Sequence, residues 1–207
     1  MPSLESADLE EFVPASQIEL SRFITDNSAA SKKQLFPVGG RTSLAVCCPS
    51  ILSGTQICTS QLNKVIDYPI RDMTITVEAG MRIDQLNEII SAEGQRLPID
   101  VPQSNRATLG GVIATNTSGP KRFSSGTIRD YVIGISAIDG KGNLFKSGGR
   151  VVKNVAGYDL KKMLVGSLGT LAVISQVSLN LRPKPETMCM VWFEFDSFAN
   201  VEQALNA

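Results

Sequence analysis

An uncharged row of small side chains near the middle of the chain restricts the possible folds more than any other feature. The residues from Ala107 to Gly119 are mostly Thr, Gly, Ala, Ser and Asn. Small side chains let a backbone approach another backbone, or a ligand, very closely. The row therefore predicts either tight packing of a helix on a sheet or a floor on which a flat ligand lies. The hydroxyl and amide side chains of residues 115–118 favour the ligand, because packing alone does not explain them.

The composition excludes several classes of protein. The 207 residues include 20 basic and 20 acidic side chains, and this balance does not favour binding to nucleic acid or to an anionic membrane. No apolar run approaches the roughly 20 residues that a membrane-spanning helix needs. The acidic first residues lack the basic-then-apolar pattern of a signal peptide. These features predict a cytoplasmic protein without a membrane span.

The cysteines and the missing histidine restrict the chemistry. Cys47, Cys48, Cys58 and Cys189 form no CxxC pair, and the chain has no histidine. No metal site is therefore predicted. The four cysteines are expected to be reduced core residues. The commonest general base in enzymes is also absent.

Strand and helix patterns alternate in the first half of the chain. A helical segment is predicted over Glu5–Asn27, and a strand over Gln34–Val38 ends in a Gly-rich turn. The stretches TQICTS, KVIDYPI and MTITVEAG are typical of strands. The clearest helix is RIDQLNEIISAEG, with Asp84 in its first turn and Gly94 as its stop.

The second half contains more strands. The apolar stretch Ile128–Ile138, the turn DGKGN and the stretch LFKSGG predict a hairpin. A short helix, a glycine turn and a long strand are predicted within YDLKKMLVGSLGTLAVISQVSLNL. Pro183 and Pro185 mark a break. Beyond the break, MCMVWFEF predicts a new strand, and Ser197 can cap a final helix.

Two glycine-containing segments are candidates for binding phosphate. The segment PVGGRTS follows a predicted strand, and its amide and hydroxyl groups can surround an anion. An ordinary strand-to-helix turn explains the same residues equally well. In the second segment, Thr108, Gly110 and Gly111 can open a helix whose N-terminus faces a phosphate.

Five motifs, in this order, resemble the FAD-binding (PCMH-type) domain of the vanillyl-alcohol oxidase flavoprotein family. They are PVGGRTSL, ITVEAGMRIDQLNEII, LPIDVPQSNRATLGGVIATNTSGP, GTIRDYV and VVKNVAGYDLKKMLVGSLGTLAVI. The last motif is the most specific, and it is similar to the FAD-binding subunits of glycolate oxidases. The resemblance extends over roughly residues 36–185.

The resemblance implies an α+β fold with two lobes and FAD between them. The FAD-binding domain would extend over residues 1–185, with lobes of roughly residues 1–80 and 81–185. Residues 186–207 would begin a truncated α/β cap, the substrate domain of the family. The implied cofactor contacts are Val38, Gly39, Gly40, Arg41, Thr42, Ser43, Pro102, Thr108, Gly110, Gly111, Ala114, Asn116, Ser118, Gly119, Gly166, Gly169, Thr170 and Ile174.

The sequence departs from the family pattern at two points. Arg41 stands where the family usually has a third small residue, and it either pairs with the pyrophosphate of FAD or points to solvent. Because the chain has no histidine, attachment of the flavin through a histidine is impossible. The FAD is therefore expected to be bound noncovalently.

The implied activity is that of an FAD-binding subunit of a glycolate-oxidase-like 2-hydroxy-acid dehydrogenase, which transfers hydride from the substrate α-carbon to flavin N5. The expected partners are a small 2-hydroxy acid and other subunits, one of which accepts electrons. Tyr158, Lys153 and Arg129 are candidate bases, but structural roles suit each better, so a base from the cap or a partner subunit is favoured. The alternative is a non-catalytic, flavin-carrying subunit for electron transfer or scaffolding.

Overall fold

A small parallel sheet is formed by the first part of the chain. The computed structural model describes residues 9–44, 53–149, 159–189 and 191–206. The sheet has the order β1-β3-β2 and consists of β1 (Glu10–Phe12), β2 (Leu35–Val38) and β3 (Thr55–Cys58). Helix α1 (Gln17–Asp26), which continues as a π-helix over Asn27–Ser31, connects β1 to β2. Parallel strands need a crossover of this kind, and it brings their carboxyl ends to one edge of the sheet.

A larger antiparallel sheet is formed mainly by the second part. Its strands are β4 (Val65–Asp67), β5 (Thr74–Glu78), β7 (Val132–Ile138), β8 (Leu144–Gly148) and β9 (Val173–Asn180), in the order β4-β5-β9-β7-β8. A separate two-residue pair joins β6 (Gln95–Arg96) to β10 (Arg182–Pro183). Along β9, Val177 and Leu179 are buried while Gln176 and Ser178 are only half-buried, so one face of the sheet lies on the core.

Short helices connect and cover the strands. They are α2 (Ile83–Ala92), α3 (Leu109–Thr115), α4 (Arg122–Ser125), α5 (Ile128–Tyr131), α6 (Leu160–Leu164) and α7 (Phe198–Leu205). Helix α2 buries Ile83, Leu86 and Ile90, at the spacing that predicted it. It ends before Gly94, whose φ of +66° favours glycine.

The larger apolar core lies between the five-stranded sheet and helices α2 and α3. Ile75 and Val77 of β5, Leu86 of α2 and Ile113 of α3 have no exposed surface. Each such side chain contributes about 1.5–3 kcal/mol through the surface it removes from water. The core therefore holds α3, which carries the small-residue row, against the sheet.

A smaller apolar cluster joins the two sheets. Leu20 and Ile24, one helical turn apart on α1, pack with Ile57 of β3 and with Ile138 and Val173 of the antiparallel sheet. The hydroxyl of Ser21 also donates to the carbonyl of Gly142, in the turn between β7 and β8, at 2.6 Å. These contacts fix the relative position of the sheets, and the cleft described below lies between them.

The structure confirms the α+β class and most of the predicted elements, but it corrects two segments. Within the predicted helix Glu5–Asn27, residues 10–12 form β1, because their backbone pairs with β3. The predicted strand MCMVWFEF is also wrong, since its described residues, 188, 189 and 191–195, belong to no strand. The helix predicted after it is confirmed as α7 (Phe198–Leu205), with the Ser197 hydroxyl accepting from the Asn200 amide at 3.4 Å.

The cysteine and domain predictions have different outcomes. Cys58 is a buried free thiol, as expected, whereas Cys189 is exposed, so its assignment to the core is wrong. Cys47 and Cys48 lie outside the described residues.

The lobe boundary near residue 80 and the start of a cap at residue 186 stay predictions. The chain passes from the parallel sheet to the antiparallel sheet between Cys58 and Val65, because β4 and β5 pair within the antiparallel sheet.

Among the helices of the described residues, none combines the length and the apolar character needed to cross a membrane.

Candidate functional site

A cleft lies where the loop after β2 meets α3 and the segment that enters β9. Its lining is mostly small, apolar or hydroxylated. The residues that line it are Pro37, Val38, Gly39, Gly40, Arg41, Thr42, Ser43, Leu44, Thr59, Thr108, Gly110, Gly111, Ala114, Thr115, Leu168, Gly169, Ala172, Val173 and Ile174. The loop comes from the edge where the parallel strands end, which is a common position for ligand sites in such sheets.

Two glycines bring the loop into contact with the start of α3. A Cβ atom on Gly40 would overlap the carbonyl oxygen of Arg106, and one on Gly39 would overlap the Thr108 hydroxyl. At Gly40 no other residue type fits without moving the backbone, and at Gly39 the Thr108 side chain would have to move. The glycines therefore allow the loop to form one wall of the cleft, directly against the residues that begin α3.

Thr108 has a buried hydroxyl in the wall of this cleft. The residue is 3% exposed, and its Oγ1 atom has no hydrogen-bond partner among the described residues. An unpaired buried hydroxyl costs about 1–3 kcal/mol, so native proteins usually pair it. A ligand with acceptor oxygens, such as a phosphate, would supply the missing partner.

The amides at the start of α3 are mostly unavailable to a ligand, contrary to the expectation of a phosphate at this helix terminus. The Leu109 amide donates to the carbonyl of Met81 at 2.8 Å, and the Gly110 amide donates to Ala79 at 2.7 Å. Both acceptors lie just after β5, beneath the helix. These bonds anchor α3 to the sheet, and an anion at this helix terminus stays a prediction.

The hydroxyls of residues 115, 117 and 118 are paired, which corrects the argument that only a ligand explains them. Thr115 Oγ1 donates to the carbonyl of Gly111 at 2.9 Å and lies 2.7 Å from Thr117 Oγ1. Ser118 Oγ accepts from the amide of Ile128 at 3.0 Å. Asn116 ends α3 with a φ of +53°. These side chains serve the local structure, although Thr115 also lines the cleft.

Arg41 is exposed, but its guanidinium is bound at the parallel sheet. Its Nη2 atom donates to Glu11 Oε1 at 2.7 Å and to Gln56 Oε1 at 2.9 Å. Arg41 is also the only charged residue among the described residues that line the cleft. The lining thus includes one cation and no described carboxylate, and this charge pattern suits an anionic ligand.

The structure brings together about two thirds of the residues that the resemblance implied. The implied residues that line the cleft are Val38, Gly39, Gly40, Arg41, Thr42, Ser43, Thr108, Gly110, Gly111, Ala114, Gly169 and Ile174. Pro102, Asn116, Ser118, Gly119, Gly166 and Thr170 lie outside the lining. Pro102 is in an exposed turn, and the Thr170 hydroxyl donates to the carbonyl of Ser167 at 2.7 Å. Ligand contact at all of these positions stays a prediction.

Seven lining residues were not named as cofactor contacts, although Pro37, Thr115 and the segment of residues 166–174 were assigned to candidate ligand-binding stretches: Pro37, Leu44, Thr59, Thr115, Leu168, Ala172 and Val173. Most of them flank residues that were found. Thr59 is different, because it directly follows β3, whose carboxyl end lies beside that of β2. A prediction that β2 and β3 pair in parallel would have placed Thr59 beside the loop that follows β2.

The candidate bases find no support in the described residues. The Arg129 guanidinium donates to the carbonyl of Val165 at 3.2 Å, which is a structural contact. Lys153 and Tyr158 lie outside the described residues. Within those residues, no group of three or more potential ligands is arranged to hold a metal ion.

The two-sheet fold and a cleft of glycine backbone, hydroxyls and one arginine define a domain that suits a dinucleotide ligand. The chain belongs to the FAD binding domain family, which matches residues 11–148. The fit of FAD to the cleft rests on the unpaired Thr108 hydroxyl and on the lack of described carboxylates in the lining.

Relatives and solved structures agree with this assignment. The chain is 38% identical over 122 residues to glycolate oxidase subunit GlcE of Escherichia coli, covering 58% of the chain and 35% of that protein. It is 31% identical over 187 residues to glycolate oxidase subunit GlcD of Bacillus subtilis, covering 90% of the chain and 39% of that protein. It thus spans well under half the length of these relatives. An alkyldihydroxyacetonephosphate synthase structure shares the fold, with a TM-score of 0.73 and 23% identity over 86% of the chain and 32% of that structure.

Proposed function

We propose that the chain is the FAD-binding part of a glycolate-oxidase-like 2-hydroxy-acid dehydrogenase. The observation that carries the proposal is the cleft, in which a glycine loop packs directly against the residue that carries the unpaired Thr108 hydroxyl. Its relatives include glycolate oxidase subunits and a D-2-hydroxyglutarate dehydrogenase of Xanthomonas citri, which is 30% identical over 171 residues. The substrate class follows from these names and from the cofactor.

In this proposal, the residues of the chain bind and orient the cofactor. The loop of residues 39–43 supplies amide and hydroxyl donors, and Thr108 supplies a hydroxyl, to the diphosphate. Gly111 and Ala114 leave room for the cofactor, because larger side chains would fill the cleft, whereas Gly110 lets α3 pack closely on Ala79. When bound, FAD supplies an electron acceptor for the hydride from the substrate α-carbon.

The base that takes the substrate hydroxyl proton is assigned to another part of the protein or to a partner subunit. The described lining of the cleft has no carboxylate or lysine, and the chain has no histidine. A general base must lie within hydrogen-bond reach of the proton it removes. The proposed partners are therefore a small 2-hydroxy acid, a subunit or domain that completes the substrate site, and a subunit that accepts electrons.

The same observation keeps a second function open, in which the chain carries flavin for electron transfer or scaffolding and does not turn over substrate. The cellular location proposed for either function is the cytoplasm. The free thiols of Cys58 and Cys189 are consistent with a reducing compartment.

Two measurements, made one after the other, test the proposal: the flavin content of the protein and the reduction of that flavin by substrate. The purified chain should be yellow, and acid precipitation should release FAD into the supernatant, since no histidine is available to attach it. Glycolate or D-lactate, added without oxygen, should then bleach the flavin absorbance if the chain turns over substrate alone. Bleaching only after addition of partner subunits would favour the flavin-carrying role. A chain that binds no FAD would refute both functions.

A further inference from the structure

The surroundings of Arg41 suggest how the cleft controls its affinity for the cofactor, and this inference rests on the proposed function. Arg41 is three residues beyond the end of β2, and its φ of +55° turns the chain sharply there. Its side chain extends back over the parallel sheet to Glu11 on β1 and Gln56 on β3. These two residues are paired in register on adjacent strands, so their side chains lie on one face of the sheet.

The guanidinium is only partly used in this arrangement. An Nη2 atom carries two hydrogens, and in Arg41 both are needed for the bonds to Glu11 and Gln56. A guanidinium makes a bidentate contact when two of its neighbouring nitrogen atoms each donate to one phosphate. Because both hydrogens of Nη2 are in use, no such contact that includes Nη2 is available. Arg41 can offer a phosphate a bidentate contact through Nη2 only if it releases one of these acceptors.

Releasing Glu11 is the easier change. The side chains of Arg41 and Glu11 are each 41% exposed, and an ion pair exposed to this degree contributes little to stability. A diphosphate in the cleft would bring two negative charges near a lining whose only described charge is Arg41. Charge-assisted bidentate bonds to phosphate are stronger than an exposed ion pair.

We infer that Glu11 competes with the diphosphate of the cofactor for Arg41. In the free protein Glu11 neutralises the guanidinium and holds it at the sheet. In the bound protein Arg41 transfers to the phosphate, and Glu11 is left to solvent. Glu11 is thus a residue that lowers affinity, although it lies outside the cleft lining.

The test measures FAD and riboflavin binding to the full chain by quenching of flavin fluorescence. Glu11→Gln removes the competing charge, and we expect FAD to bind about two- to fivefold more tightly, the range for loss of an exposed ion pair. Arg41→Gln should weaken FAD binding about tenfold and reduce its salt dependence. The double variant should behave like Arg41→Gln, since without the guanidinium there is nothing to compete for. Riboflavin, which has no phosphate, should respond to none of these changes.

Glu10→Gln is the matched control. Glu10 precedes Glu11 on β1 and pairs with Lys33 at 2.8 Å, so this variant makes the same change of charge without affecting Arg41. It should leave FAD affinity unchanged. The competition would be overturned if Glu11→Gln bound FAD no more tightly than Glu10→Gln does, or more weakly than the wild-type chain does. A wild-type chain that binds no FAD would instead overturn the proposed function, and this inference with it.

Discussion

At the scale of single residues, Thr108 connects packing to ligand binding. Its hydroxyl is buried without a partner among the described residues, between the glycine loop and the start of α3. In the absence of a partner, a buried hydroxyl of this kind lowers the stability of the fold. The same group gains most when a phosphate oxygen arrives. A residue of this kind is expected to favour binding at the expense of stability.

Replacing Thr108 with valine should separate these two effects. Valine keeps the shape and removes the hydroxyl, so the apo protein should unfold at the same temperature or a higher one. The FAD dissociation constant should rise about tenfold, the value expected for one hydrogen bond to a charged group. Fluorescence titration and thermal melting measure the two quantities. Thr25→Val is the control, because that hydroxyl donates to the Ser21 carbonyl at 2.9 Å and Thr25 lies outside the cleft lining. Unchanged affinity in Thr108→Val would show that the hydroxyl does not contact the cofactor.

Two glycines of the cleft should respond differently to substitution. A Cβ atom on Gly111 would meet only the Thr108 hydroxyl, at 3.3 Å, whereas one on Gly40 would overlap the Arg106 backbone. Gly111→Glu should therefore abolish FAD binding, through overlap and charge repulsion, while the melting temperature of the apo protein changes little. Gly40→Ala should lower both. Equal losses of binding and apo stability in Gly111→Glu would identify Gly111 as a packing residue instead.

At the scale of elements, the hairpin of β7 and β8 depends on one carboxylate. Asp139 accepts bonds from the amides of Lys141 and Asn143 at 2.8 and 2.9 Å, and from Asn143 Nδ2 at 3.0 Å. The side-chain hydrogen bond from Asn143 is the main cause that lowers the pKa of Asp139 below its ordinary value of 3.8. The ionised carboxylate therefore stabilises the turn that packs on α1.

Asp139→Ala should destabilise the protein at neutral pH by about 1 kcal/mol, a modest value because the turn is partly exposed and solvent screens the charge. The direction of the pH dependence follows from the lowered pKa of Asp139 in the folded protein. The contribution is fully present above the unfolded-state pKa of about 3.8 and is lost as the pH falls through the lower folded value. Urea unfolding at pH 7 and at a series of pH values below 3.8 measures this, and the difference between the two proteins should narrow as the pH falls. A constant difference would show that the charge is not responsible.

At the scale of the whole molecule, the segment from Thr187 to Leu205 contrasts with the rest of the chain. Trp192 is 83% exposed and Phe198 is 94% exposed, and α7 buries none of its residues. Exposed aromatic side chains so close together are typical of a surface that another protein or domain covers. The cleft, in contrast, is formed entirely by residues before Leu181.

We therefore expect the chain to associate through this segment, with itself or with a partner subunit. A chain that ends at Glu186 should bind FAD as the full chain does and should self-associate less in sedimentation velocity. Trp192→Ser combined with Phe198→Ser keeps the length and should have the same effect on association. Unfolding of the shortened chain would place the segment in the core of the domain. A full chain that remains monomeric at high concentration would refute the association with itself.

The sequence alone determined the elements and motifs whose signals are local. The apolar spacing of α2, the hairpin turn at Asp139 and the alternation in β9 are properties of neighbouring residues, and each predicts its structure directly. The resemblance, rather than the local pattern, named the glycines of residues 39–40 and 110–111 as cofactor contacts, and the structure places all four in the cleft lining. These local signals, together with the resemblance to a known family, were sufficient to predict the α+β class and most of the cleft.

Only the tertiary structure decided which groups remain free for a ligand. The partner of Arg41 is Glu11, thirty positions earlier, and the two meet only when β1 pairs with β3. The amides at the start of α3 are bound by carbonyls that follow β5, and the hydroxyl of Ser118 is bound by Ile128. Thr108 alone was left unpaired among these groups. Whether a polar group is satisfied depends on distant segments brought together by packing, and no local pattern records that outcome.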